Sequence, residues 1–181
     1  LTGSVAVMTA MSDAAKMGVM VKGAKYFESF AKADTIVFDK TGTLTEAQPR
    51  LACVLTTDGW SEDEVLRLSA CLEEHFPHPV ARAVVNAAGE RGLEHRERHA
   101  AVEYIVAHGI ASSIEGRRAI IGSAHFVFED EGAQLESDIK ERIESQMQGL
   151  SPLYLAVDGT VVGVLGIEDP LKPGVREAIA D

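Results

Sequence analysis

The feature that most constrains this chain is a short apolar run that ends abruptly in a polar, glycine-containing loop. Residues 35–38 read TIVF, and residues 39–45 follow at once as DKTGTLT. An apolar, β-branched run bounded by such a loop predicts a buried parallel strand that ends at Asp39. Because α/β sheets bind ligands at the carboxyl ends of their strands, we expect the Asp39 carboxylate at a ligand site.

The residue types of this loop suit phosphoryl chemistry. The Asp39 carboxylate can attack a phosphoryl group and form an acyl phosphate. Gly42 lets the backbone turn closely, so that loop amides can face phosphate oxygens. Lys40 adds a cation, and Thr41 and Thr43 add two hydroxyls. Taken without context, the same residues also fit a loop in which Asp39 only caps a turn.

The overall composition limits the partners of such a loop. The 181 residues are 46% apolar and 25% charged, the balance of a globular protein with a core. A net charge of −11 and a pI near 5.0 argue against nucleic acid and anionic lipid as partners. If ATP binds, local cations must therefore offset the negative field.

The chain ends and the cysteines indicate an internal segment of a longer protein. Cys53 and Cys71 are too few for a disulfide framework, which fits a reducing compartment. Residues 1–11 are apolar, but they are about half as long as a membrane span requires, and they lack the pattern of a signal peptide. Leu1 is not an initiator methionine.

The first half of the chain has the periodicity of helices with one strand among them. Residues 12–32 are expected to be helical in two pieces, separated at Gly18 and Gly23. Residues 51–57 read as a strand. Ser61 and Glu64 form a capping box that opens a helix to about residue 74. Pro79 sits at the tolerated first position of a second helix, which ends near residue 91.

From residue 101 onward the apolar period changes to two, which is typical of strands. Glu115-Gly116 and Asp158-Gly159 each separate two alternating runs, which predicts two β-hairpins. Between the hairpins an apolar stripe predicts a helix packed in the core, with Leu135, Ile139, Ile143 and Met147 as its members. The pattern therefore predicts an α+β insertion in an α/β domain.

Residues 39–45 match the phosphorylation motif of P-type ATPases. The resemblance implies a haloacid-dehalogenase-like phosphorylation domain in which Asp39 accepts the phosphate. It also implies Mg²⁺ held by the Asp39 carboxylate and the Thr41 backbone carbonyl, with Lys40 and Thr43 completing the catalytic loop. Related phosphatases carry a second acid at the position of Thr41, which activates water. Since threonine cannot do this, the acyl phosphate should be long-lived, as a pump requires.

A second motif, EEHFPHPVA at residues 73–81, resembles the Ser-Glu-His-Pro-Leu motif of the heavy-metal subclass of these pumps. The resemblance implies that His78 and Pro79 position the nucleotide and that Glu73 lies near the adenine. The Ser-Glu pair is Phe76-Pro77 here, which departs from the pattern. Taken in isolation, a histidine before a helix is more often a capping residue. We favour His78 over His75 because only His78 is followed by proline.

Three further elements resemble the same family in chain order. Gly109 and Ile110 match a nucleotide-binding bend whose first glycine is Ala107 here. Gly122 matches the glycine of a Gly-Asn pair, with Ser123 in place of asparagine. The segment DPLKP, at residues 169–173, resembles the hinge that leads back to the phosphorylation domain. The resemblance implies that Asp169 stabilises this hinge and that Lys172 approaches the ATP phosphates.

The resemblance divides the chain into three parts. Residues 1–48 would form the end of a transmembrane helix and the start of the phosphorylation domain. Residues 49–166 would form the nucleotide-binding domain, an antiparallel sheet flanked by helices, and residues 167–181 the hinge and the return. The family's later Thr-Gly-Asp, Lys and Gly-Asp-Gly elements do not occur before Asp181. We therefore expect this chain alone to bind ATP but barely to phosphorylate itself.

The function implied is that of the cytosolic ATP-binding and phosphorylation region of a cation pump in the cell membrane. Its cofactors would be ATP and Mg²⁺. Its partners would be a transported metal cation, bound by the membrane domain, and the remaining phosphorylation and actuator domains of the same protein. The identity of the ion is not readable. Two alternatives stay open: a soluble phosphatase of the same superfamily, and a binding module whose nucleotide site has decayed.

The remaining candidate residues are interpreted as structural rather than functional. His95 and His99 are one helical turn apart and could bind a metal, but the run EHRERH suggests a solvated face. His125 is adjacent to Phe126 and is expected to pack. Residues 129–131 read as an exposed acidic turn.

Overall fold

The structure is a computed structural model that describes residues 2–93, 103–105, 109–114 and 116–180. The chain forms two compact units, Leu1–Phe38 and Asp39–Asp181. His95, His99 and Ala107, which the sequence singled out, lie outside the described residues.

The first unit contains two helices. Helix α1 spans Thr2–Lys16 and α2 spans Ala24–Ala31. The chain between them bends at Gly18 and Gly23, both at positive φ, as the glycine positions predicted. Many large apolar side chains of this unit are exposed, among them Met8, Met20 and Phe30. Among the described residues, no helix is long and apolar enough to cross a bilayer.

The buried strand predicted at residues 35–38 is wrong for this structure. These residues form no strand, and Ile36, Val37 and Phe38 are exposed, Val37 to 90%. A parallel strand needs a neighbour that satisfies its backbone groups. All six described strands instead pair antiparallel with one another, so they offer no parallel neighbour.

The second unit is built on one antiparallel sheet, as the sequence predicted. Its strands lie in the order β1-β6-β5-β4-β3-β2. The predicted hairpins are confirmed: β3 pairs with β4, and β5 pairs with β6. The strand bounds are Arg50–Thr56 for β1, Glu103–Ile105 for β2, Gly109–Ile114 for β3, Arg117–Gly122 for β4, Ser151–Val157 for β5 and Thr160–Glu168 for β6.

Two helices cover one face of this sheet. Helix α3 spans Glu62–Glu73 and α4 spans Pro79–Glu90, close to the predicted bounds. The Ser61–Glu64 capping box is present and fixes the start of α3. Apolar side chains of both helices pack on the strands in one core cluster that includes Leu66, Leu72 and Val84. Burying each large apolar side chain contributes about 1.5–3 kcal/mol.

The opposite face is covered by a wide helical turn, His125–Asp130, and by helix α5, Ser137–Gln146. Phe126 and Ile139 are fully buried in the second core cluster. The predicted apolar stripe does pack in this core, although Leu135 and Met147 flank α5 and do not lie within it. The chain then leaves β6 and ends in helix α6, Val175–Ala180.

Candidate phosphorylation and nucleotide site

The DKTGTLT loop begins with an extended residue and then turns sharply. Asp39 has φ −70° and ψ 136°, and the turn Lys40–Leu44 follows it. Gly42 has φ 79°, which an L side chain adopts with difficulty, so this turn requires glycine. The side chains predicted to be catalytic, Asp39, Lys40, Thr41 and Thr43, are all exposed. The loop therefore presents its functional groups to solvent.

Thr45 stabilises this loop from its buried side, a role that we did not predict from the sequence. Its side chain is 2% exposed. Its hydroxyl accepts a hydrogen bond from the Gly42 amide at 3.1 Å and donates to Asp169 Oδ2 at 2.5 Å. Its own amide donates to the Lys40 carbonyl at 3.1 Å. Its burial follows from this pairing across 124 residues, which no local pattern encodes.

The segment after β6 pairs with the loop along its backbone. The Lys172 amide donates to the Leu44 carbonyl at 2.9 Å, and the Glu46 amide donates to the Pro170 carbonyl at 2.9 Å. The Lys172 ammonium donates to the Gly42 carbonyl at 2.5 Å. Both predicted hinge residues, Asp169 and Lys172, therefore contact the loop at residues 39–45. That Lys172 approaches ATP phosphates stays a prediction, since its ammonium contacts a loop carbonyl here.

Asp169 has only one of its carboxylate oxygens satisfied within the described part of the chain. Oδ2 accepts from Thr45, whereas Oδ1 is buried without a hydrogen-bond partner there. A buried acceptor without a donor is destabilising by about 1–3 kcal/mol. The Thr45 hydroxyl is therefore the contact on which the Asp169 carboxylate depends.

Glu73 is the last residue of α3 and is buried. The residue is 6% exposed. Burial raises the pKa of its carboxyl from 4.5 to about 7, because desolvation disfavours the charged form. Near neutral pH the carboxyl therefore exists partly as the acid, with one hydroxyl donor and one carbonyl acceptor side by side. That pair matches a ligand edge with one acceptor and one donor.

His78 caps the N-terminus of α4, and Pro79 occupies the first helical position as predicted. The Val80 amide donates to His78 Nδ1 at 3.3 Å. The capping role that a histidine before a helix suggests is therefore present. The nucleotide-binding role of His78 stays a prediction that this contact leaves open, since Nε2 is not used by the cap.

Gly109 and Gly122 lie opposite each other across the β3–β4 hairpin. A Cβ atom on Gly109 would come within 2.2 Å of the Phe126 ring and 2.6 Å of the Ile121 carbonyl. This position therefore needs glycine for packing. Ile110 is 2% exposed and belongs to the core on the α3 side. The nucleotide contacts predicted for these three residues stay predictions.

Ser123, which replaces the family's asparagine, already has a local partner. Its hydroxyl accepts a hydrogen bond from the Phe126 amide at 3.3 Å. It thereby caps the turn that places Phe126 over Gly109. Ser123 therefore stabilises the turn and, through the turn, the packing of Phe126 against Gly109.

A cleft of about 350 Å³ lies between the start of α4 and residues 46–50, which follow the loop at residues 39–45, together with Pro170. Arg82 and Asn86 line it from the helix, and Arg50 from the other side. Arg50 pairs with Glu168 at 2.6 Å. Arg82 is exposed, and the structure gives its guanidinium no ion pair with the described residues. Arg82 was not among the site residues predicted from sequence. The negative net charge had only predicted that some cation must lie near bound ATP.

No cluster of three His, Cys, Asp or Glu side chains among the described residues forms a metal site. The oxygens that the sequence predicts as Mg²⁺ ligands are the Asp39 carboxylate and the Thr41 carbonyl, and both residues are exposed. Mg²⁺ prefers oxygen ligands and is commonly bound by one or two carboxylates together with substrate phosphates. The residues present therefore fit Mg²⁺ when a polyphosphate supplies the remaining ligands.

The chain is similar to known proteins in both sequence and structure. A family described as haloacid dehalogenase-like hydrolase matches residues 33–181. A copper-exporting P-type ATPase of Legionella pneumophila is 35% identical over 181 residues, which cover 100% of this chain and 24% of that protein. A zinc-exporting P-type ATPase of Mycobacterium marinum is 32% identical over 99% of this chain and 24% of that protein. The chain thus spans about a quarter of the length of these curated relatives.

Solved structures show the same relationship. A zinc-transporting PIB-type ATPase in its E2.Pi state superposes with a TM-score of 0.72 at 26% identity, over 98% of this chain and 28% of that one. The N-domain of a copper-transporting P-type ATPase superposes with a TM-score of 0.57 at 25% identity. It covers 66% of this chain and 99% of its own.

Proposed function

Because this chain belongs to the haloacid dehalogenase-like hydrolases and its curated relatives are heavy-metal P-type ATPases, we propose that it binds ATP and carries the phosphate acceptor of a metal cation pump. The chain resembles the nucleotide-binding and phosphorylation domains of such pumps. The proposal concerns the activity of the whole protein, of which this chain supplies the ATP-dependent part.

The observation that carries the proposal is the exposed Asp39 on a loop that is held by a distant segment. Thr45, Asp169 and Lys172 fix the turn, while the Asp39 carboxylate stays open to solvent. A nucleophile has to be accessible and its loop has to be ordered before the substrate arrives. In this role one Asp39 oxygen bonds to the γ-phosphorus as the bond to the β,γ-bridging oxygen breaks, and ADP leaves with that oxygen.

The residues around α3 and α4 support the binding of the nucleotide. An adenine edge presents an amino donor beside a ring-nitrogen acceptor, which a protonated Glu73 complements. His78 keeps Nε2 for a ligand, and Arg82 supplies a cation in the cleft toward the phosphorylation loop. We infer that the base binds near Glu73 and His78 and that the phosphates extend along this cleft toward Asp39.

Mg²⁺ would be held by the Asp39 carboxylate and the Thr41 carbonyl together with ATP phosphate oxygens. When bound, it neutralises the charge that develops on the transferred phosphoryl group. Thr41 carries no acid that could activate water, so the phospho-aspartate should persist. This distinguishes a pump from a phosphatase of the same family.

The curated relatives export copper, zinc or manganese. We propose that the whole protein moves a metal cation of this group, and that this chain lies on the cytosolic side of the cell membrane. The remaining phosphorylation and actuator domains would act on the phospho-aspartate formed at Asp39.

Calorimetric titration of the chain with ATP tests the nucleotide part of the proposal. We expect a dissociation constant of about 1 μM or weaker, a large but measurable loss of affinity in His78→Ala, and unchanged binding in Asp39→Asn. The full-length protein should form an acid-stable phospho-aspartate with ATP and Mg²⁺, and Asp39→Asn should abolish it.

Two results would contradict the proposal in different ways. A folded wild-type chain that takes no ATP would support a module whose nucleotide site has decayed. Rapid hydrolysis of simple phosphoesters, without a lasting phospho-aspartate, would instead support a soluble phosphatase.

A further inference from the structure

Two aromatic rings lie against each other just before α4. The Phe76 ring stacks on the His78 imidazole with 5.7 Å between centroids and 24° between planes. Both residues lie on the protein surface, and Phe76 is 37% exposed. Part of Phe76 is therefore open to solvent, and the stack on His78 is a contact that its ring makes there.

The backbone around this stack is fixed by short hydrogen bonds. The Phe76 amide donates to the Glu73 carbonyl at 2.9 Å, and the His78 amide donates to the Phe76 carbonyl at 2.8 Å. Pro77 stands between the two residues in the chain and fixes its own φ. The turn from the end of α3 to the start of α4 therefore sets both rings in place.

The cap determines which nitrogen of His78 is available. Because Nδ1 accepts a hydrogen bond from the Val80 amide, the neutral imidazole carries its proton on Nε2. The cap on Nδ1 and the Phe76 ring against one face together restrict the orientation of the imidazole. Nε2–H is then a donor with a restricted direction.

We propose that Phe76 is a positioning residue for His78, holding the imidazole so that Nε2–H donates to an acceptor atom of bound ATP. This inference rests on the proposed nucleotide binding. It also gives a reason for the departure from the family motif, since the serine that stands at this position in the motif could not stack on the histidine. Phe76 acts through His78 and need not touch the ligand.

A double-mutant cycle with ATP as the probe tests this role. Titrations would compare the wild-type chain with Phe76→Ala, Phe76→Tyr, His78→Ala and the Phe76→Ala/His78→Ala double variant. Freeing one ordered side chain should weaken ATP binding about three- to tenfold in Phe76→Ala. Phe76→Tyr should retain the wild-type affinity. In the His78→Ala background, Phe76→Ala should cause no further loss, because the two residues act as one unit.

A spectroscopic readout separates positioning from a general effect on structure. Nitrogen-15 shifts of the His78 ring should show the Nε2–H tautomer in the wild type and in Phe76→Tyr. In Phe76→Ala these shifts should indicate a mixture of the Nδ1–H and Nε2–H tautomers. The amide resonance of Val80 should also shift. Phe30→Ala, which removes an exposed ring from α2, is the matched control and should change neither ATP affinity nor the His78 shifts.

Each other outcome overturns the inference. A Phe76→Ala loss that adds fully to that of His78→Ala would mean that the ring contacts the nucleotide directly. Unchanged affinity and an unchanged tautomer would mean that the stack has no role in binding. A wild-type chain that binds no ATP would overturn the proposed function as well, whereas the first two results leave it standing.

Discussion

The loop at residues 39–45 and the antiparallel sheet are ordered by different physical means. The loop is held by a few polar contacts from Thr45 and Lys172 to chain far away in sequence. The sheet is held by two apolar clusters, one on each face, with side chains such as Leu72 and Phe126 fully buried. Removing one polar contact of the loop should therefore loosen only the loop. Removing one buried apolar contact of the sheet should destabilise the whole sheet.

The same comparison explains where the ionisable groups lie. The loop presents the Asp39 carboxylate to solvent, where a ligand can reach it. The sheet region instead buries an ionisable group, Glu73, at the end of a helix that packs on the core. Because desolvation disfavours the charged form of a carboxyl, the buried Glu73 carboxyl is partly protonated near neutral pH.

The largest expected effect on stability is at Glu73. Its folded pKa of about 7 lies above the value of 4.5 for the unfolded chain, so the folded state binds this proton more tightly. The free energy of unfolding should fall as pH rises from about 4.5 to about 7 and then level off. Glu73→Gln should remove this slope and stabilise the chain by about 3 kcal/mol at about pH 8.

Urea unfolding at about pH 5 and about pH 8 measures the Glu73 effect. Glu90→Gln, an exposed residue at the end of α4, is the control and should leave the pH dependence as in the wild type. An equal slope in wild type and Glu73→Gln would show that this carboxyl is hydrated.

The next effect concerns the close packing at Gly109. Because an added Cβ would meet the Phe126 ring and a backbone oxygen, Gly109→Ala should destabilise the sheet by about 1–3 kcal/mol. Gly89→Ala in α4 is a matched control, since its Cβ would meet nothing within 4 Å. That change should stabilise the chain by up to about 1 kcal/mol. Equal shifts in the unfolding midpoint would contradict the packing.

A smaller and more local effect is expected at Thr45. Thr45→Val keeps the side-chain shape but leaves the Gly42 amide and the Asp169 carboxylate without their partner. We expect a loss of about 1–2 kcal/mol. Hydrogen exchange should accelerate at the Gly42 and Lys172 amides and stay unchanged in β4.

Thr9→Val is the control for the threonine change, because the Thr9 hydroxyl bonds to its own helix at the Val5 carbonyl. It should leave exchange in the loop unaffected. If Thr45→Val accelerated exchange throughout the sheet, the two regions would share one cooperative unit and the contrast between them would be lost.

The sequence by itself determined the local elements of the fold. The Ser61–Glu64 capping box, Pro79 at the start of α4 and the turns of both hairpins were all readable, because each depends on residues close together in the chain. The residue types at positions 39–45 likewise suit phosphoryl chemistry, and their match to the P-type ATPase motif implies that Asp39 accepts a phosphate, which stays a prediction.

Only the tertiary structure decided what depends on distant neighbours. The run at residues 35–38 has the composition of a strand, yet it is exposed, because strand formation requires a partner that local pattern does not supply. The raised pKa of Glu73, the requirement for glycine at 109 and the Thr45–Asp169 bond arise in the same way. Burial and long-range pairing are properties of the packed molecule, and they follow from contacts between residues that the sequence keeps apart.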